Sequence, residues 1–320
     1  MLQQALPKSM ALQIAYVANH GARIDLAQNI NVPSVYGQGV GYDPLNILFG
    51  KTASVTQYFL GASTNYQSMQ VELKRRFTNG LSFNSAFTWG KAQNYQTGAQ
   101  DGAYLFYSGN LRRNYAVADF DRTRNFEQTV TYELPAGRGH KYFNAGATSY
   151  VLGGWKTSVI LSALSGLPFQ ITTSSQTSGT TQTVNETGPY QVTHNVAGGT
   201  NAAVTWFNPA SFAAAPTCVY SAITGTPCAV GNTQRNQFRG PGYFSDNLSL
   251  FKNFPVYTER VNMELRFDAF NLTNTPAFGL PNGSLGSNLG KITGTLGSGV
   301  GNVNGVGGPR VLQAGVKTTF

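Results

Sequence analysis

From Val261 to Ala269 the chain alternates without a fault: Val261, Met263, Leu265, Phe267 and Ala269 fall on one parity, and Asn262, Glu264, Arg266 and Asp268 on the other. A two-residue period is the repeat of an extended strand, because successive side chains leave a pleated backbone on opposite faces. Such a strand has one face against an apolar medium and one against water. The period recurs at Met69 to Phe77, where Met69, Val71, Leu73 and Phe77 oppose Gln70, Glu72, Lys74 and Arg76, with Arg75 alone out of pattern. Thr78-Asn79-Gly80 follows, and an Asn-Gly pair supplies the positive φ values of a tight hairpin. The returning segment puts Leu81, Phe83, Ser85, Phe87 and Trp89 on one face, so an antiparallel hairpin is predicted. Phe126, Gln128, Val130, Tyr132 and Leu134 likewise oppose Glu127, Thr129, Thr131 and Glu133, and end at an expected turn over Pro135 to Gly139. Further strands are predicted over Trp155 to Leu164 and Val311 to Phe320, with weaker patterns at Leu12 to Val17, Ile24 to Ile30, Phe169 to Thr173 and Phe244 to Phe251.

Polar stretches from Gln93 to Asp119, Ser174 to Thr200 and Gly279 to Gly308 separate these strands and far exceed ordinary connections. Tight turns at one end and long loops at the other is the asymmetry of a transmembrane β-barrel, and Trp89, Trp155 and Tyr132 near strand ends fit its interfacial girdles. Composition agrees. Charged residues are 11% of 320, against the roughly 25% of soluble domains, while mean hydropathy is only −0.19 because apolar and polar parities cancel. No run of about 18 apolar residues exists to cross a bilayer as a helix. With 20 Phe, 16 Tyr and 3 Trp the chain is too aromatic for a disordered polymer.

Other chemistries find little footing. The net charge of +9 is scattered, without the basic stripe of a nucleic-acid binder. His20, His140 and His194 are far apart in turn-rich stretches, so neither a metal nor a cofactor is implied. Ser165-Gly166 lacks both flanking glycines of a nucleophile elbow, with Ala163 and Leu167 in their places, and the Gly-rich run 294–308 misses the dinucleotide spacing; no enzyme is indicated. Cys218 and Cys228 are close in a Pro- and Ala-rich loop, where a local disulfide fits an oxidising compartment. The first residues, Met1 to Pro7, have no basic region followed by an apolar core, so they are not read as an export signal. The last strand presents Leu312, Ala314, Val316 and Phe320 on one parity, interrupted by Thr318. An apolar strand face ending in a terminal Phe is similar to the insertion signal read by the outer-membrane barrel-assembly machinery.

Several segments taken together resemble the Oar-like TonB-dependent receptors of the outer membrane. They are Tyr66-Gln67-Ser68-Met69-Gln70-Val71, Phe87-Thr88-Trp89-Gly90-Lys91, Tyr132-Glu133-Leu134-Pro135, Gly153-Gly154-Trp155 and Ser165-Gly166-Leu167-Pro168-Phe169. In the same order follow Trp206-Phe207-Asn208-Pro209 with Phe212, Arg239-Gly240-Pro241-Gly242, Leu250-Phe251-Lys252-Asn253-Phe254, Arg266 to Asn274 and Pro309-Arg310-Val311-Leu312-Gln313. The resemblance implies an antiparallel barrel of about 22 strands, a plug, and energy drawn through a TonB box. This chain shows no plug, TonB box or signal peptide and too few strands. It is therefore expected to be all-β, with residues 1–320 the C-terminal portion of such a barrel. Its implied partners are outer-membrane lipid, the remaining strands and plug, the assembly machinery, the TonB complex through the missing N-terminal part, and an unidentified transported substrate. Asn262, Glu264, Arg266 and Asp268 are then candidates for the lumen side. The competing expectation is a secreted or surface-attached β-sandwich, an adhesin-like interaction module, in which the same parity would face solvent.

Overall fold

The computed structural model describes residues 1–35, 38–95, 110–137, 139–173, 182–194, 196, 205–215, 230–257, 261–296 and 308–319. The first half of the chain is built around long antiparallel hairpins. β1 (Leu2–Leu6) and β2 (Met10–Asn29) are followed by the short helix α1 (Pro44–Phe49), then β3 (Thr56–Thr78) and β4 (Leu81–Asn94). A one-turn helix α2 (Leu111–Asn114) and β5 (Ala116–Val117) precede β6 (Arg124–Glu133), helix α3 (Gly146–Leu152) and β7 (Trp155–Leu164). Six two-residue strands come next: β8 (Pro168–Phe169), β9 (Thr172–Thr173), β10 (Gln182–Thr183), β11 (Asn185–Glu186), β12 (Phe212–Ala213) and β13 (Phe238–Arg239). β14 (Tyr243–Tyr257), β15 (Val261–Phe270) and β16 (Val311–Thr319) complete the series.

The long strands form one 10-stranded antiparallel meander, β1-β2-β3-β4-β6-β7-β14-β15-β16, with β5 added at the end of β4. Neighbours in sequence are neighbours in space, which a sheet built from local hairpins requires. At one end the strands are joined by 7–9, 79–80, 134–154 and 258–260; at the other by 30–55, 95–123, 165–242 and 271–310. Asn79 (φ 52°) and Gly80 (φ 78°) form the two-residue turn predicted from their side chains, left-handed at both positions. A Cβ on Gly80 would sit 3.2 Å from the Glu133 carbonyl oxygen. Gly80→Ala is accordingly expected to lower stability by about 1 kcal/mol, read as a lowered midpoint of denaturant unfolding with unchanged slope; an unchanged midpoint would mean that the turn does not need its glycine.

Register assembles the alternation of separate strands into two continuous faces. Val71 pairs with Ile14 and Phe87, and Phe87 with Phe126. Val130 pairs with Val159, Val159 with Leu248, Leu248 with Ala269, and Ala269 with Leu312. Directly paired residues lie on the same side of a sheet, so these residues share a single apolar face. Gln128 and Ser85 are one polar interruption of it, and they satisfy each other, the Ser85 hydroxyl donating to Gln128 Oε1. Arg75, the residue out of pattern, also falls on this face beside Met10 and Phe83, and its guanidinium turns back to donate to the Thr78 carbonyl at 3.2 Å.

Beyond the common sheet, β2 and β3 run on together as a hairpin up to Asn29 and Thr56. Each strand there carries one unpaired residue, Arg23 in β2 and Gly61 in β3. A bulge of this kind reverses the alternation that follows it. Ile24, Leu26 and Phe59 consequently pack with Ala62 and Tyr95, on the side opposite to the one that their own parity would otherwise give them.

Three sequence expectations need correction. Pro135 to Gly139 is not a self-contained turn: the chain continues through a bridge between Ala136 and Tyr142 and through α3 before β7 begins. Phe169 to Thr173 is no sheet-spanning strand, since β8 pairs with β13 and β9 with β10, all outside the meander. The patterns at Leu12 to Val17 and Ile24 to Ile30 belong to a single 20-residue strand, β2, split in the sequence by its bulge.

Candidate functional site

The four polar residues singled out in β15 lie together on the face opposite the apolar one. Asp268 pairs with Ser249 and Gln313, Arg266 with Phe251 and Gly315, Glu264 with Asn253 and Lys317, and Asn262 with Thr319. Arg266 Nε donates to both oxygens of Asp268 at 2.8 and 2.9 Å, and the Ser249 hydroxyl donates to the same carboxylate at 2.5 Å. The polar face continues across β6 and β7, where Lys156 and Glu133 stand 3.8 Å apart. Leu312, Ala314 and Val316 lie on the apolar face, against Ala269, Phe267 and Leu265. Phe320, Cys218 and Cys228 lie outside the described residues.

At the long-loop end the chain builds something that periodicity does not reveal. Phe169, Ile171, Val184, Trp206, Phe207, Phe212, Phe238 and Leu289 make one buried cluster, drawn from 165–242 and 271–310. Phe207 is fully buried, with the rings of Phe169, Tyr190 and Phe212 within 5.9 Å of its centroid. Burial pushes the Tyr190 phenol up to about 12, so it remains a neutral donor and gives its proton to the Arg239 carbonyl at 3.1 Å. These loops are thus a packed cap with its own core.

Two arginines lock the cap to the loop 95–123. Arg235, 2% exposed, donates from Nη2 to the backbone oxygen and Oδ1 of Asn94, at 2.7 and 2.6 Å, and from Nε to the Asn114 carbonyl at 3.1 Å. Its Nη1 meets Asp119 Oδ1 at 3.2 Å. Burial draws this guanidinium below its ordinary value and Asp119 opposes the shift, but an arginine starts high enough to stay charged. Arg239 Nη2 binds Asp121 Oδ2 at 2.5 Å, while its Nη1 reaches the carbonyls of Asp121 and Gly166 at 3.0 and 3.2 Å. Asn236 adds a bond to the Val117 carbonyl at 2.8 Å. A buried charge persists only when so many partners surround it.

Sequence reasoning missed Arg235, Asn94, Asn114 and Asp119, which stand in no periodic context. It reached Trp206, Phe207, Phe212 and Arg239 only as parts of a family resemblance. The available signal was the number of large aromatics in segments otherwise too polar to need them.

No curated protein matches the chain. Among solved structures, the outer membrane transporter YddB from Escherichia coli is similar over 99% of this chain and 31% of its own, at 9% sequence identity and a TM-score of 0.48. The chain therefore spans about a third of that transporter's length. The model of a family described as the outer membrane beta barrel domain matches residues 1–313. With nearly its whole length covered, and a meander apolar on one face and polar on the other, this chain belongs to the outer membrane beta barrel domain family.

Proposed function

We propose that the chain is the C-terminal part of the wall of an Oar-like TonB-dependent receptor, which binds a substrate at the cell surface and admits it through the barrel. The observation that carries this reading is the combination of a mainly apolar face that runs across the whole sheet with long connections gathered into a packed cap at one end. The apolar face meets lipid. The polar face, with Asn262, Glu264, Arg266 and Asp268, lines a hydrated lumen, and the cap stands at the extracellular mouth, where a substrate arrives first. Its residues Trp206, Phe207, Phe212 and Arg239 are among those on which the resemblance to Oar-like receptors rests.

Among the described residues, β1 and β16 each pair on one side only. Unpaired backbone N–H and C=O groups in hydrocarbon cost several kcal/mol each, so the reading supplies further strands against both edges, and a plug within. The assembly machinery would recognise Leu312, Ala314, Val316 and Phe320 on the final strand. In this reading energy reaches the barrel through TonB.

The test is fractionation of the full-length protein followed by site-directed crosslinking to TonB. Recovery in the outer membrane, with crosslinks that increase when substrate-bearing medium is added, is the expected result. A membrane-inserted protein that never crosslinks to TonB overturns the energy-coupled reading.

A further inference from the structure

The connection between β6 and β7 is the longest at its end of the sheet, and it is folded. Gly137 donates to the Tyr142 carbonyl at 2.9 Å, Tyr142 to the Pro135 carbonyl at 3.1 Å, and Gly154 to the Ala136 carbonyl at 3.2 Å. Gly153 lies so near Gly137 that a Cβ on it would sit 2.4 Å from the Gly137 Cα, so the two arms of the connection are in backbone contact. The tip is fixed, yet it turns its apolar residues outward: Tyr142, Phe143, Tyr150, Val151 and Leu152 are all exposed, Tyr150 and Val151 by 60% and 63%.

The position of the tip explains that exposure. α3 is held by two residues of the apolar face, Trp155 and Lys252, which are paired across β7 and β14. Trp155 Nε1 donates to the Val151 carbonyl at 3.0 Å; Lys252 Nζ donates to the Tyr150 carbonyl and, at 3.1 Å, to that of Val151. The same ammonium lies 4.5 Å from the centroid of Phe254. The exposed apolar residues of the tip are therefore continuous with the face of the sheet that meets lipid. A second feature points the same way. The last carbonyls of a helix have no partner within it and must find one outside, in water or in a side chain. Here side chains from the lipid-facing side take them, as a helix end in a water-poor boundary requires.

We propose that residues 140–152 are a membrane foot: α3 and the Tyr142-Phe143 pair seat in the headgroup–acyl boundary of the leaflet at the short-turn end, with phospholipid as their partner. Lys141 and Lys252 lie at the level of the phosphates, and the rings and Val151 enter the upper acyl region, the placement of an in-plane amphipathic segment. The foot fixes the height of the β6–β7 turn relative to the bilayer, a function distinct from anything the lumen or the cap does.

The test uses the full-length protein in liposomes of phosphatidylethanolamine and phosphatidylglycerol. A nitroxide on Val151→Cys is expected to collide more with dissolved oxygen than with a water-soluble nickel chelate, whereas the same label on Lys8→Cys, in the β1–β2 turn at the same end, favours the chelate. Independently, Tyr150→Trp should add fluorescence that phospholipid brominated in its upper acyl chain quenches. Both altered side chains are exposed, so folding does not depend on them. Chelate accessibility at position 151 equal to that at position 8, or no added quenching from position 150, would show the foot standing in water and overturn the proposal. The transport reading would survive that result, because a barrel functions with its turns in solvent.

Discussion

Arg235→Ala is expected to destabilise the junction between the cap and the 95–123 loop by about 3–5 kcal/mol, the cost of removing one partner from a buried ionic group. The loss exceeds that of a surface ion pair because the guanidinium is almost wholly enclosed and serves Asn94, Asn114 and Asp119 together. Without it the Asn94 and Asn114 carbonyls lose a donor in a place that water reaches poorly. The change should stay local. Hydrogen exchange by mass spectrometry should show faster exchange across 110–123 and 230–242, with β14 and β15 as protected as before. Unchanged protection in those two segments would mean that the aromatic cluster alone holds the cap.

The second large effect separates the two faces of β15. Leu265→Arg places a charge on the lipid side, beside Lys252 and so between the headgroup boundary and the midplane, and should cost about 1–2 kcal/mol in folding free energy measured in bilayers. Arg266→Leu, one residue away, removes a half-exposed ion pair with Asp268, and should cost under about 1 kcal/mol because Ser249 still donates to that carboxylate. The claim is the inequality. Equal losses, or a reversed order, would place lipid on the other face of the sheet.

The sheet was legible where one residue in two is apolar for a physical reason. In β15 every position from Val261 to Ala269 obeys the rule, because each strand face meets a single medium. Legibility fades where that condition fails. The upper half of β3 was not recognised as strand, since Gly61 and Arg23 shift the phase and the distal hairpin packs on Tyr95 instead of standing in lipid. Phe169 to Thr173 imitated a strand because Phe169 and Ile171 are anchors of the cap. The cap itself was read as polar loop: its core residues come from segments far apart in the chain and have no common spacing, so only the folded structure brings Trp206, Phe238 and Leu289 together. Arg235 is the extreme case, a charged residue in a polar stretch with no sequence mark of burial. The outer-membrane placement was accessible from both directions, from the alternation and from the match of residues 1–313 to the barrel family.

The paired irregularities in the β2–β3 hairpin bear on how this protein tolerates changes of length. Arg23 and Gly61 are the extra residues, so deleting either leaves the pairs on both sides of it in place and Ile24, Leu26 and Phe59 facing as before. Deleting a paired residue such as Asp25 is different: Leu26 moves to an outward position while Phe59 stays inward, unless Arg23 enters the ladder and Ile24 turns outward instead, and either way one small core is divided. Single-codon deletions here should therefore be tolerated at the two unpaired positions and not at the paired ones beyond them, a dependence on position that arises wholly from the geometry of a pleat.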